Sequence, residues 1–406
     1  MQPITPVEAP SATAGATARP AGVGTLTARA RPTRRTLTTL RYLVREHAAM
    51  FALLFTYLAI ALGVDAAFPG KAVVHLHVYN EVFFVILEVY TVVFLTAFAF
   101  IEVRHVPKGR SVILWVWRAL RRRYLTLERT GAFLLALVYA RILTDTFVSL
   151  KSAIPLLVPF SWDMTFMQWD RALHGGHDPW RLLQPYMIPS LTSVLSFLYN
   201  LWIFILFATF LSQAWSETTL LRKRFLITFG LAWMLLGSGA ATVLSSAGPC
   251  YFGRVAHTST DPYAPLMSYL HSVSEERPVW SLDVQDALWA AYVSSTNGKA
   301  EPAVKLPTWV VAMHADPSVK EWLNGISAMP SMHVAMSVLF ALLGWHVSRW
   351  LGLALTVYAL AIEVGSVHLG WHYAVDGYVS ATAVLVLWIV VGKCLGRTGA
   401  TRRLMT

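Results

Sequence analysis

The feature that most constrains this chain is a series of apolar runs that reach the length of a membrane-spanning helix. The chain has 406 residues, of which 56% are hydrophobic and only 14% are charged. Soluble domains carry about a quarter charged residues, and roughly 20 apolar residues suffice to cross a bilayer as a helix. We therefore predict an all-α, polytopic membrane helical bundle with about eight spans. The predicted spans are residues 47–67, 81–102, 131–152, 189–212, 224–247, 328–347, 350–369 and 376–395.

The distribution of basic residues predicts the orientation of these spans. The net charge is +11, but Lys and Arg are concentrated beside apolar runs instead of forming a separate basic domain, which argues against nucleic acid and for anionic lipid headgroups. They occur in the N-terminal tail, after the second, fourth and sixth spans and at the C-terminus, whereas 68–80 and 370–375 nearly lack them. Both termini are therefore predicted to be cytoplasmic. The Ala- and Arg-rich composition favours a bacterial plasma membrane.

Four segments are expected along the chain. Residues 1–47 lack apolar periodicity and are predicted to form a disordered basic tail. Residues 48–130 hold two accessory spans and an amphipathic helix at 111–127, and 396–406 form a cytoplasmic tail. Residues 131–395 form a membrane domain that carries the chemical motifs. Within it, we expect interfacial helix and turns at 159–185 and a long external loop at 248–327 that covers the site.

Two short motifs carry the chemical signal. The first, Ser327–His333 (SAMPSMH), begins the sixth predicted span, and the second, Gly365–Asp376 (GSVHLGWHYAVD), joins the seventh and eighth. The predicted topology places both at the external face. Ser327 or Ser331 can cap the sixth span and Pro330 suits its first turn, so its positive N-terminus can face a phosphate. The N-terminus of the eighth span adds a second positive helix end at the same level.

The second motif also predicts an activated histidine. His372 and Asp376 are four residues apart, so on a helical turn the carboxylate can hold one ring nitrogen and leave the other as a nucleophile. His333 could then protonate the departing oxygen, which allows double-displacement phosphoryl transfer without a metal or other cofactor. The alternative to catalysis is a structural role for these residues. Each histidine would then be a hydrogen-bonded polar anchor at the membrane interface, and Asp376 would only cap its helix. His368 and His372 have the spacing of a helical metal pair, but no nearby Cys or Glu completes that site.

These motifs resemble those of the type 2 phosphatidic acid phosphatase superfamily, and within it the branch similar to fungal inositol phosphorylceramide synthase. Pro330, Ser331 and His333 match its P-S-x-H motif, and His372, Tyr373 and Asp376 match its H-Y-x-x-D motif. The resemblance implies a six-helix core, with His372 as nucleophile, Asp376 as its orienting partner and His333 as general acid. The segment Gly248–Arg254 lies where the family's first motif belongs. A WD-x6-D segment, Trp162, Asp163 and Asp170, also resembles bacterial members of the branch.

The chain departs from this family in its phosphate-binding cations. The K-x6-R-P form of the first motif is absent, and Gly365-Ser366 replaces the Ser-Arg pair of the third. Arg254 is the predicted substitute because of its position, with an ordinary interfacial arginine as the alternative. The loss of those cations favours the transferase-like branch over a broad-specificity phosphatase. The candidate phosphate- or substrate-binding residues are Ser331, Arg254, Tyr373, Tyr251 and Ser366.

Three ionisable residues lie inside predicted spans, where charges are costly unless paired or in a polar cavity. Arg141 and Asp145 are four apart in the third span and are predicted to form an ion pair. Glu363, in the seventh span, is one to two turns from the site. We expect it to be either protonated or hydrogen-bonded near the histidines.

Two functions of different classes follow. The first is a membrane enzyme that acts on a lipid phosphate or phospholipid. Water as the acceptor makes it a lipid phosphatase, and inositol or another polyol makes it a headgroup phosphotransferase. The second is a non-catalytic membrane transporter that retains the fold. Transporters often carry polar groups at mid-membrane in symmetric halves, whereas this cluster lies at one face of the C-terminal third, which favours the enzyme.

Overall fold

A computed structural model describes residues 34–69, 80–217, 219–295 and 325–403, and every regular element within these ranges is helical. The predicted all-α class is thereby confirmed. The described helices longer than ten residues are α1 Arg34–Ala67, α2 Asn80–Val103, α3 Val112–Arg123, α4 Leu127–Leu157, α5 Asp163–Leu173, α6 Pro189–Ala214, α7 Leu220–Val243, α8 Ala264–Glu276, α9 Trp280–Ser295, α10 Met332–Val347, α11 Arg349–His368 and α12 Ala374–Arg403.

Seven of the described helices are long and apolar enough to cross a membrane, namely α1, α2, α4, α6, α7, α11 and α12. The span predicted at 328–347 is shorter than expected, because α10 has only 16 residues. Its N-cap is Ser331, whose hydroxyl accepts a hydrogen bond from the Val334 N–H at 3.4 Å. Pro330 therefore precedes the cap and does not lie in the first turn. At about 1.5 Å per residue, α10 is about 24 Å long, less than a typical hydrocarbon core.

This short helix lies at the centre of the bundle, in contact with α6, α7, α11 and α12. A single residue, Ser348, separates α10 from α11, and the two helices approach closely at two glycines. A Cβ on Gly344 would lie 3.2 Å from the Cα of Gly352. Because α10 and α11 form this tight hairpin, the start of α10, the end of α11 and the start of α12 lie at one end of the bundle. The hairpin thus brings the two histidine motifs together.

The outer surface of the bundle is apolar. The large side chains of α2 illustrate this, since Phe84, Val89, Val93 and Phe100 are all more than half exposed. A contiguous apolar surface of this size is unfavourable in water and is compatible with contact to lipid acyl chains. With the seven long apolar helices, it makes the chain an integral membrane protein.

Several predicted segments differ in extent from the structure. The first helix begins at Arg34, inside the segment 1–47 for which a disordered tail was predicted, and residues 1–33 lie outside the described residues. The predicted amphipathic helix at 111–127 corresponds to α3. At the C-terminus, α12 continues to Arg403, inside the predicted tail.

The predicted interfacial segment and the described part of the predicted long loop are both largely helical. Segment 159–185 contains α5 and a short helix, Pro179–Leu182, as predicted. The predicted loop 248–327 contains α8 and α9, and its residues 296–324 lie outside the described residues. Helix α9 packs against α6, so this part of the loop is structured and adjoins the bundle.

Candidate active site

The two histidine motifs meet at a cavity of about 510 Å³. Residues from α4, α6, α7, α9 and the segment 325–333 line it, and most of these side chains are apolar. His333 and His372 both line the cavity, with their ring centroids 6.4 Å apart. The volume lies within the range of several hundred cubic ångströms that is typical of sites for small molecules. The structure therefore brings the two predicted histidines to a single cavity.

His372 is held by the carboxylate of Asp376. Its Nδ1 lies 3.3 Å from Oδ2 of Asp376, and the same oxygen accepts the N–H of Tyr373 at 3.0 Å. Asp376 is the third residue of α12, so its side chain reaches back to the helix start as in a capping box. One oxygen thus both contacts the histidine and caps the helix. With Nδ1 at the carboxylate, Nε2 is the ring nitrogen that remains for chemistry.

Burial keeps His372 neutral. Its side chain is only 7% exposed, and desolvation lowers the pKa of His372 to about 3. A backbone hydrogen bond with Ala328 opposes this shift, and the nearby positive charge of Lys151 adds to it. The neutral imidazole is the form that can act as a nucleophile.

His333 is fixed by aromatic neighbours. Its ring stacks on Tyr199, with centroids 4.1 Å apart, and lies 4.3 Å from the ring of Trp202. Its backbone carbonyl accepts hydrogen bonds from Nε1 of Trp202 at 3.0 Å and from the hydroxyl of Ser337 at 2.7 Å. These contacts hold the imidazole beside the cavity.

The start of α12 is capped by an acidic residue from α5. The carboxylate of Asp170 accepts the N–H of Ala374 at 2.9 Å and that of Val375 at 2.8 Å. Burial raises the pKa of Asp170 to about 6, and these two donors oppose the rise. The first N–H groups of α12 are therefore not available to a phosphate, contrary to the prediction of a second positive helix end at the site.

A second acidic residue of α5 joins two loops of the site. The carboxylate of Asp163 accepts the N–H groups of Ala247 and Gly248 and the hydroxyl of Tyr373, at 3.0, 2.9 and 2.9 Å. Burial raises the pKa of Asp163, and these donors oppose that rise. Gly248 has a φ of +99°, and a Cβ there would lie 2.7 Å from the carbonyl oxygen of Trp371. Only glycine fits this approach without displacement of the Trp371 backbone.

Three of the predicted substrate-binding hydroxyls make hydrogen bonds within the protein. That of Ser331 caps α10, that of Tyr373 contacts Asp163, and that of Ser366 donates to the carbonyl of Glu363 at 2.7 Å. None of these three residues lines the cavity. Each hydroxyl is buried and already bonded, so these contacts position the motifs, and a direct role in substrate binding stays a prediction.

The carbonyl of Ser366 also accepts the N–H groups of Trp371 and His372, at 2.9 and 3.2 Å, and so shapes the loop that presents the nucleophile. Tyr251 does line the cavity, but its hydroxyl donates to the carbonyl of Gln285 at 2.6 Å. Its contribution to the cavity is therefore the aromatic ring.

The structure places the predicted cation away from the cavity and another cation within it. Arg254 is exposed, its guanidinium lies 4.9 Å from the ring centroid of Trp289, and it does not line the cavity. Lys151, which sequence reasoning missed, does line it. The available signal was helical spacing, because Arg141, Val148 and Lys151 recur on one face of α4 and all line the cavity.

The remaining predicted ionisable groups have varied surroundings. Arg141 and Asp145 form the predicted ion pair. Both oxygens of Glu363 lack a hydrogen-bond donor among the described residues, and a Cβ on Gly377 would lie 1.6 Å from its Oε2. Of the two states expected for Glu363, the hydrogen bond near the histidines is not found among the described residues, and the protonated state stays a prediction. Nε2 of His368 lies 2.8 Å from the hydroxyl of Thr192.

The described ranges contain no group of three or more His, Cys, Asp or Glu side chains that could hold a metal ion.

Comparison with known proteins gives one match. A family model described as the PAP2 superfamily matches residues 164–390, more than half of the chain. The matched region includes Asp170, His333, His372 and Asp376. No curated protein and no solved structure matches the chain significantly.

Proposed function

The chain belongs to the PAP2 superfamily, and from this premise we propose that it is a membrane enzyme that transfers lipid phosphate groups through a phosphohistidine on His372. The observation that carries the proposal is the 3.3 Å contact between Nδ1 of His372 and Asp376 beside the cavity that His333 also lines. A neutral imidazole with one nitrogen held by a carboxylate is the arrangement that nucleophilic histidine catalysis requires.

The proposed reaction has two displacement steps. Nε2 of His372 attacks phosphorus, and the bond from phosphorus to the lipid oxygen breaks. His333, whose protonated form the bound anionic phosphate stabilises, gives its proton to that oxygen. In the second step, neutral His333 takes a proton from the acceptor, whose oxygen attacks phosphorus and breaks the phosphorus–nitrogen bond. His372 and protonated His333 are thereby restored, and Asp376 holds Nδ1 throughout.

The lining of the cavity supports a lipid as the molecule that donates the phosphate group. This lining combines the two histidines with apolar side chains from α4, α6 and α7, such as Leu137, Leu206 and Phe229. Phosphate at the histidines and an acyl chain along these helices would satisfy both parts of the lining. The acceptor is water for a lipid phosphatase, and inositol or another polyol for a transferase of the inositol phosphorylceramide synthase-like branch.

We further propose that residues 131–395 form the catalytic membrane domain and that the site faces the external side of a bacterial plasma membrane. The positions of Lys and Arg support this orientation, because basic connections mark the cytoplasmic side. If α10 is counted as a crossing together with the seven long apolar helices, both termini lie in the cytoplasm.

Product analysis on the full-length protein in detergent micelles tests the proposed function. Phosphatidic acid, a lysolipid phosphate and phosphatidylinositol are supplied separately, each with and without inositol. His372→Ala is the inactive variant, and His346→Ala, at the opposite end of α10, is the matched control. Free phosphate from phosphatidic acid or the lysolipid phosphate, with the wild type and the control, establishes a phosphatase. A new inositol phosphate ester that requires added inositol establishes a transferase: a monoester from the first two lipids and a diester from phosphatidylinositol. Turnover that survives His372→Ala contradicts the mechanism.

A further inference from the structure

A lipid phosphate in this cavity needs a positive charge that the family motifs do not supply in this chain. Two basic side chains, Arg141 and Lys151, line the described cavity. Arg141 is paired with Asp145, four residues along α4, so its charge is largely compensated. No carboxylate among the described residues forms an ion pair with Lys151. A cation with no counterion in the described part of the chain, beside two histidines, favours an anionic ligand.

The position of Lys151 is defined by two neighbours. Its ammonium lies 5.9 Å from the ring centroid of Phe147, and its aliphatic stem packs on Gly325, where a Cβ would lie 3.0 Å from Cγ. Gly325 begins the described segment that leads to His333. The stem therefore lies between α4 and the first histidine motif, and the charge is near enough to His372 to disfavour a second positive charge on that ring. An alternative is that Lys151 extends to the membrane interface as an ordinary anchor.

Three buried hydrogen-bonding atoms in the same cavity favour the anion-binding interpretation. The hydroxyls of Tyr199 and Ser327 and the indole N–H of Trp371 have no partner among the described residues. The ring of Tyr199, which is 3% exposed, stacks on His333 and lies parallel to the ring of Trp371, with centroids 6.0 Å apart. Buried donors without acceptors are unfavourable, so their concentration here indicates a ligand rich in acceptor oxygens.

We infer that Lys151, with the hydroxyls of Tyr199 and Ser327 and the Trp371 N–H, forms the phosphate-binding subsite of this cavity. Lys151 takes the place of the lysine and arginines that the family motifs would supply, and it comes from a different helix. This inference rests on the proposed function for its substrate. The cation and donors hold the non-bridging oxygens, so that phosphorus faces Nε2 of His372 while negative charge develops on those oxygens.

The binding test measures the thermal shift that inorganic phosphate produces in the full-length protein in detergent. It is done in the His372→Ala background, so that turnover plays no part. Lys151→Met removes the charge and is expected to weaken phosphate binding at least about tenfold, whereas Lys151→Arg is expected to retain most of the shift. Arg349→Met is the matched control, because Arg349 lies against Trp350 at the opposite end of α11. Tyr199→Phe keeps the ring stacking and is expected to weaken binding to a smaller extent.

The outcomes separate this inference from the proposed function. An unchanged phosphate shift in both Lys151→Met and Tyr199→Phe overturns the subsite. Loss of the shift in Arg254→Met, with the shift retained in Lys151→Met, assigns the role to Arg254 and also overturns it. If Lys151→Met does not fold, the phosphate shift is compared between Tyr199→Phe, Lys151→Arg and the parent protein. An unchanged shift in Tyr199→Phe then overturns the subsite. Phosphate binding that depends on Lys151 but no lipid turnover by the wild type supports the subsite and contradicts the proposed enzyme.

Discussion

The hydroxyl of Tyr373 donates to Oδ1 of Asp163 at 2.9 Å, although the two residues are 210 positions apart. The same carboxylate accepts two backbone N–H groups from the loop before Pro249. Asp163 thus connects α5, this loop and the residue next to His372. Because all of these groups are buried, each bond replaces one to water and its loss leaves a partner unpaired.

Removal of this connection should lower stability in proportion to the bonds lost. Tyr373→Phe removes one donor, and we expect a loss of about 1 kcal/mol. Asp163→Ala leaves two N–H groups and the Tyr373 hydroxyl without an acceptor, so a loss several times larger is expected. Thermal unfolding in detergent measures both variants. Equal losses would contradict the shared role of Asp163.

The cap that Asp170 provides to α12 is a second test of positioning. Asp170→Ala removes the acceptor for two N–H groups, and we expect a loss of about 1–2 kcal/mol, as for other caps. Asp170→Asn keeps one acceptor oxygen and is the matched control with a smaller loss. Melting temperatures measure the difference. If Ala and Asn at this position behave alike, the cap does not stabilise the start of α12.

Asp376→Asn tests the orientation of the nucleophile. The amide keeps the size of the carboxylate but can present an N–H to Nδ1 of His372, which favours the wrong tautomer. We expect kcat to fall by about 10²–10⁴-fold while KM changes little, because substrate binding does not use this group. Steady-state turnover of the lipid substrate measures it. A change confined to KM would contradict the orienting role.

The low pKa of His372, about 3, predicts a pH-dependent stability. In the unfolded chain the ring binds a proton below about pH 6.5. Between pH 3 and pH 6.5 the unfolded state therefore binds one more proton at this ring than the folded state does. The stability that neutral His372 contributes is complete above pH 6.5 and decreases as the pH falls toward 3. His372→Gln removes it. The melting temperature of the wild type minus that of the variant should therefore decrease from pH 7 to pH 5. A difference that stays constant would show that the ring titrates alike in both states.

Gly248 is expected to tolerate no side chain. Gly248→Ala combines a positive φ with a Cβ 2.7 Å from the Trp371 carbonyl oxygen, so we expect a loss of about 1–3 kcal/mol and reduced turnover. Gly63→Ala in α1 is the control, because no atom lies within 4 Å of a Cβ there and helix propensity favours alanine. Unfolding and turnover are measured together. Normal stability of Gly248→Ala would contradict the close approach.

The sequence alone determined the helical membrane class and the histidine motifs. Apolar runs of spanning length allow only helices or a closed barrel, and their length selected helices. The spacing of His372 and Asp376 predicted their contact, because positions i and i+4 share a helix face. The ion pair between Arg141 and Asp145 followed from the same rule. These are local relationships, and local geometry is encoded in neighbouring residues.

Only the tertiary structure decided which distant groups surround the histidines. Arg254 lies close in sequence to a motif but contacts Trp289, whereas Lys151, on α4, reaches the cavity. Asp170 occupies the N–H groups of α12 that the sequence offered to phosphate. Which helix faces which cavity depends on how the whole bundle packs, and the packing of α10 against four neighbours sets it. Spacing along one helix cannot specify a contact that forms between helices.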